Sequence, residues 1–176
     1  MNKTLRKSAV IVTTAGATVL AGLSGAGIAQ ARPDDHSGVD RYCTAEQLNV
    51  SMTELDHAMG KTGGRLVFTA ERGESCLLSG APALGFVDDD GDPLPVSARA
   101  AAREGVTVRV TEEQSAVASF SFPRVDMTTG KQLHGPVPSA VEVSVPAPAE
   151  SSAVLVPWSS GAEVSGPVHV TPVTSC

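Results

Sequence analysis

Apolar and polar positions alternate along most of this chain, and the alternation predicts strands. Leu48, Val50 and Met52 alternate with Asn49 and Ser51, the mark of a half-buried strand within 46–55. Leu66, Phe68 and Ala70 share one face of a strand over 65–70. Residues 83–88 read as the next strand. Asp90-Gly91 ends it with a hairpin signal, and 94–96 begins the return. Val106, Val108 and Val110 alternate with Thr107 and Arg109, the cleanest strand signal in the chain. Ala116, Ala118, Phe120 and Phe122 share a face within 115–122. Val141, Val143 and Val145 form another strand, ended by Pro146-Ala147-Pro148. Short strands at 154–156 and 168–173 follow.

The intervals between strands carry turn chemistry. Residues 57–64 read as a Gly-rich loop, 71–74 as a turn, 123–138 as a long loop, and 158–166 as a loop carrying the single Trp158. Two helical pieces are expected. Thr44-Ala45-Glu46-Gln47 resembles a capping box and predicts a turn of helix at 44–48. Residues 98–104 are the one stretch of good helix formers and predict a short helix stopped by Gly105. No internal repeat, heptad or βαβ alternation is visible. About nine short strands with turns between them predict an all-β fold, an antiparallel immunoglobulin-like β-sandwich stapled by one disulfide. A barrel is the alternative.

The first 31 residues read as a secretory signal peptide rather than as fold. Lys3, Arg6 and Lys7 make a basic start, a weakly apolar run extends from Ala9 to about Ile28, and Ala29-Gln30-Ala31 is an A-x-A cleavage site. No cysteine marks the cleavage site for lipid attachment, and no paired arginines precede the apolar run, which favours the general secretory route. Removing 31 of 176 residues leaves 145, one ordinary domain. A chain of that size buries about 68–70% of its unfolded surface, enough for a real core. Residues 32–42 are polar and read as a flexible arm. Residues 43–176 are then the domain.

Cleavage removes three basic residues and no acidic ones, so 13 basic against 19 acidic becomes 10 against 19, a net −9. Such a surface repels phosphate backbones and anionic membranes, so nucleic acid and stable membrane insertion are not expected. Aromatic residues are 3% of the chain, which leaves the core to Val, Leu and Ala. Small side chains bury less area each, so a covalent staple matters more. Export to an oxidising compartment makes cysteine pairing the default. Three cysteines allow one bridge and leave one over. We take Cys43 with Cys76 as the pair. The chain-entropy model gives such a loop roughly 3–4 kcal/mol. Cys176, the last residue, is then free, capped by a small thiol, or paired with a second chain.

At this point the residues resemble a known family. Cys43-Thr44-Ala45-x-Gln47-Leu48, then Leu66-Val67-Phe68-Thr69, then Cys76-x-Leu78-x-Gly80-x-Pro82 with an Asp-rich Gly turn, is similar to the actinobacterial family called domain of unknown function 4232. The strand pair within Val106–Phe122, Val141 to Pro146, and Val168 to Val173 fit as well. Two departures stand out. Glu71-Arg72-Gly73 replaces the family's Asn-x-Gly turn, and only Cys176 stands where many members carry a second cysteine pair. A second intrachain bridge is therefore out of reach. The resemblance implies a secreted or surface-attached β-sandwich. It brings no established activity and no catalytic residues.

Candidate chemistry is sparse. Asp88, Asp90 and Asp92 around Gly91 offer oxygen ligands to Ca²⁺, but the bidentate Glu of an EF-hand loop is absent, and we read them as a solvated hairpin turn instead. Met52, His57 and Met59 are soft donors of the kind copper takes, against a plain assignment to core and loop. Trp158 in its Ser159-Ser160-Gly161 loop is a candidate binding anchor, or an aromatic folded over a sheet edge. The histidines are His36, His57, His134 and His169, and no spacing ties any of them to a nucleophile. No G-x-S-x-G elbow lies beyond the leader. Lys61-Thr62-Gly63-Gly64 lacks the strand–loop–helix setting of a phosphate loop. A carboxylate pair drawn from distant strands would leave no spacing signal.

The expectation is a secreted, non-enzymatic protein that binds an unknown envelope or extracellular ligand, with no cofactor implied. A small extracellular hydrolase with a loop-built site is the alternative. A disulfide-linked structural homodimer through Cys176 is the other.

Overall fold

The alternating runs become strands with one buried and one exposed face. The computed structural model describes residues 41–101, 105–148 and 152–176. The expected signal and the arm up to residue 40 lie outside them. In chain order the strands are β1 (Leu48–Met52), β2 (Asp56–Ala58), β3 (Lys61–Ala70), β4 (Cys76–Ser79), β5 (Leu84–Val87) and β6 (Ala98–Ala100). Then follow β7 (Thr107–Val110), β8 (Ala116–Pro123), β9 (Ala140–Ser144), β10 (Ala153–Pro157), β11 (Val168–Val170) and β12 (Thr174–Ser175). One 3₁₀ turn, Ala45–Gln47, precedes β1. There the Thr44 N–H donates to Gln47 Oε1 at 3.1 Å, as the capping pattern predicts.

The largest sheet has seven strands. Its main path is β1-β3-β8-β11-β6, with β2 on β3 and β12 on β8. A three-stranded sheet runs β10-β9-β5, and a two-stranded one pairs β4 with β7. The pair β3–β8 is the longest, and its register sets Leu66 opposite Ala118 and Phe68 opposite Ala116. All four are buried, as the period-two pattern predicts. Leu84 and Phe86 of β5, Val141 and Val143 of β9, and Leu78, Val108 and Val110 of the two-stranded sheet join the same core. Among the described residues the fold is all-β, with several sheets around one core.

Cys43 and Cys76 form the expected disulfide, with Cα atoms 5.0 Å apart. Both cysteines are buried. The backbone reinforces the join. Cys43 N–H donates to Leu77 O at 3.0 Å, and Leu77 N–H donates to Arg41 O at 2.9 Å. Arg41 and Tyr42, the end of the expected arm, are thus held beside β4.

Three expectations change. Ala98 to Ala100 are strand β6, not the start of a helix. They complete the hydrogen bonds of β11, and a helix of so few residues cannot offset its nucleation cost. Residues 102–104 of that expected helix lie outside the described ones. The pair β6–β11 is also parallel, so the fold is not purely antiparallel. Residues 57–64 are not a loop. They are β2, a two-residue turn at Met59-Gly60, and the start of β3, with Ala58 opposite Lys61. No Asn-Gly or Asp-Gly pair announces that turn.

Candidate functional site

The Met59-Gly60 turn organises one end of the large sheet. Both turn residues have positive φ, 49° at Met59 and 74° at Gly60. Such turns favour Asn, Asp or Gly at the first position. Methionine there costs about 1–2 kcal/mol of backbone strain, and it is the one non-glycine with positive φ among the described residues. The side chain recovers nothing by burial, because Met59 is 94% exposed.

A second turn stands beside the first. Beyond β8 the chain makes a small hairpin closed by a bridge between Val125 and Gln132. Gly60 O accepts from Arg124 N–H at 2.7 Å and from Val125 N–H at 3.2 Å, which pins the two turns together. Asp126 shapes the second turn. Its Oδ1 accepts from Thr128 N–H at 2.7 Å and Thr129 N–H at 3.1 Å. Those amide bonds, Thr128's first, hold the Asp126 carboxyl below its ordinary range. Met127 rides on this turn, 81% exposed. Its Sδ lies 3.7 Å from where a side chain on Gly60 would begin.

Between the turns lies an open cleft of about 360 Å³, lined by His57, Ala58, Met59, Gly60, Lys61, Arg124 and Gln132. His57 Nδ1 is 2.7 Å from the hydroxyl of Thr62, which is fully buried. No described carboxylate lies within ion-pair distance of Lys61 or Arg124. Lys61 and Lys131, the two lysines beyond residue 31, both sit at this end. The cleft thus combines an anchored imidazole, two cations with no ion pair among the described residues and an exposed thioether.

A second cleft, of about 270 Å³, includes Ser97, His134, Pro136 and Val164 in its lining. His134 Nδ1 is 2.9 Å from Glu163 Oε2. That hydrogen bond is the largest cause holding the Glu163 carboxyl below its ordinary range.

The remaining candidates fall elsewhere. Trp158 is not an exposed anchor. It is 5% exposed, with ring centroids 5.8 Å from Phe86, 6.1 Å from Phe120 and 6.3 Å from Phe122. Its Nε1–H donates to Ala162 O at 3.0 Å, so the polar end of the indole is satisfied within its own loop. Asp88 spends a carboxylate oxygen on the amides of Asp90 (3.1 Å) and Asp92 (2.8 Å), which makes the cluster a turn. Among the described residues, no three His, Cys, Asp or Glu side chains are grouped to hold a metal ion. Met52 is in β1 opposite Leu66 and packs against the core, in line with its plain assignment to the core rather than to a copper site with His57 and Met59. Cys176 is exposed, its backbone N–H donating to Ser115 O at 3.1 Å. His169 is on β11 opposite Ser121, and His36 lies outside the described residues. Sequence reasoning did not bring Arg124 and Gln132 into one cleft with His57 and Lys61. The one available signal was the pairing of a turn glycine with a methionine.

Among the described residues, no helix is long and apolar enough to cross a membrane. Comparison with curated proteins and with solved structures finds no match. Comparison with family models matches residues 43–174, from the first cysteine of the disulfide to β12. The chain belongs to the family described as domain of unknown function DUF4232.

Proposed function

We propose that the protein is a secreted, non-enzymatic binding protein with an immunoglobulin-like β-sandwich fold, and that its ligand sits in the cleft between the Met59-Gly60 turn and residues 124–132. The observation that carries this reading is Met59, an apolar side chain held out in solvent on a strained backbone. Strain that stability does not explain points to use. The two turns are hydrogen-bonded to each other, so a ligand meets a surface already ordered, which lowers the entropic cost of binding. The sandwich is supported by Trp158, which touches Phe86 of the three-stranded sheet and Phe120 and Phe122 of the seven-stranded one. Secretion is supported by the leader pattern and by the buried disulfide.

The test is an amide-resolved titration of isotope-labelled protein with fractions of the host's envelope and culture medium. Shifts concentrated at 57–61 and 124–132 are expected. A binding fraction that moves other surfaces and leaves these still would overturn the reading.

A hydrolase is the second reading, and the observation favouring it is the His134–Glu163 hydrogen bond beside Ser97. A carboxylate on Nδ1 orients an imidazole to act as a base. Labelling by a fluorophosphonate that disappears in Ser97→Ala would establish it. Absence of labelling in the active secreted protein would remove it.

A further inference from the structure

The cleft beside the Met59-Gly60 turn inverts the charge of the chain around it. Beyond residue 31 the basic residues number 10 and the acidic ones 19. The lining of the cleft nevertheless holds Lys61 and Arg124 and no Asp or Glu. The backbone brings the two basic residues to one corner of the sheet. Lys61 pairs with Pro123 at the end of the β3–β8 register, and Arg124 N–H donates to Gly60 O at 2.7 Å. Nearby carboxylates are engaged elsewhere. Asp126 gives its Oδ1 to the Thr128 and Thr129 amides. Glu163, held below its ordinary range first by the hydrogen bond from His134, feels Arg124 only as the last of its causes. Asp56, on β2 opposite Gly63, is exposed and outside the lining. Two neutral groups add donors. Gln132 contributes its amide, and when the Thr62 hydroxyl donates to His57 Nδ1, the ring's Nε2 carries the proton.

We infer that the cleft binds a small organic oxyanion, a phosphate or carboxylate group carried on an apolar body. This rests on reading the cleft as the binding surface, and it names the chemistry of the ligand. Arginine's planar fork of N–H donors matches the oxygens of either group, and lysine adds a compact charge. The apolar body meets Ala58 and Met59, which line the same cleft. Met59 is exposed, and an unbranched thioether adapts to varied apolar shapes. The charge pattern limits the ligand's size. A long polyanion or an anionic membrane would spread beyond the cleft onto the acidic remainder of the chain, which repels it. A small anion stays within about one Debye length of the cleft, ~10 Å at 0.1 M salt, and meets the local cations alone. A cation meets two like charges and no carboxylate in the lining, so the site selects by sign.

The test is an amide-resolved titration of isotope-labelled protein with hexyl phosphate and with hexanoate, against inorganic phosphate and hexylammonium as comparisons. A hexyl anion is expected to shift the amides at 57–61, 124 and 132 along a single-site curve that saturates. Tighter binding of hexyl phosphate assigns the group as phosphate, and of hexanoate as carboxylate. Inorganic phosphate, with no apolar body, binds more weakly, and hexylammonium leaves these amides still. Arg124→Gln keeps the backbone bond to Gly60 and removes the charge, which weakens binding about 10- to 100-fold. Lys61→Gln acts in the same direction, and Met59→Ser brings the hexyl anions toward the affinity of inorganic phosphate. Shifts that never saturate would mean an adventitious ion only and overturn the site. Equal shifts with hexylammonium, or affinity unchanged when Lys61→Gln and Arg124→Gln are combined, would overturn it too. If neither hexyl anion moves the cleft while envelope or medium fractions still shift 57–61 and 124–132, the oxyanion assignment falls and the binding cleft stands.

Discussion

Trp158 shows how one residue's surroundings decide its role. As the largest side chain in a chain with few aromatics, it fills the space between Phe86, Phe120 and Phe122. Trp158→Ala should cost about 3–5 kcal/mol, read as a lower urea midpoint, because a packed core cannot close over that void. Asp126 works by charge. Its folded carboxyl titrates below the ordinary aspartate value of 3.8, so the turn's support is complete above that value and is lost as pH falls through the depressed one. The Thr128 and Thr129 amides should therefore lose protection in acid. In Asp126→Asn, which keeps an acceptor but cannot titrate, that dependence on pH should flatten. An unchanged acid profile would dissociate the carboxylate from the turn.

The strand pair β3–β8 shows how elements constrain sequence. Gly64 lies opposite Phe120, and a side chain there would meet the Phe120 ring at 2.9 Å and Leu55 at 3.0 Å. Gly64→Val should destabilise by about 1–3 kcal/mol, read by urea unfolding, because the ring or the strand must shift. Most strands were legible. The alternations at 48–52, 66–70, 108–110 and 116–122 bury the predicted side chains or pack them against the core, since one wet face and one dry face leave a period-two trace, whereas Val106, expected on the face of Val108 and Val110, precedes β7 and is 64% exposed. β6 was not legible. Ala98 to Ala100 carry helix propensity, and their strand state depends on hydrogen bonds to β11, about seventy residues away in sequence.

At the scale of the molecule, the disulfide ties the start of the domain to β4, while the exposed end carries Cys176. If the proposed secretion and cleavage hold, the intact mass of the protein from its own host should correspond to a chain beginning at Arg32, a monomer with one internal bridge. A doubled mass that halves on reduction would instead make Cys176 a link between chains. Reduction or replacement of Cys43 and Cys76 should cost roughly 3–4 kcal/mol, since the bridge mainly restricts the unfolded chain. The acidic balance of the whole chain also conceals its local pattern, because both lysines beyond residue 31 are at the cleft end. Charges elsewhere on the molecule are screened beyond about 10 Å at 0.1 M salt, so a ligand there meets the cleft's own groups.

By itself the sequence determined the all-β class, the positions of most strands and the residues of most of their buried faces. These follow from local periodicity and composition, which each stretch carries within itself. Only the tertiary structure decided which strands are neighbours, that one pair is parallel, that Trp158 is core, and that the 124–132 turn stands beside Gly60. Those depend on contacts between residues far apart in the chain, where the gain from pairing and burial outweighs what any local segment prefers.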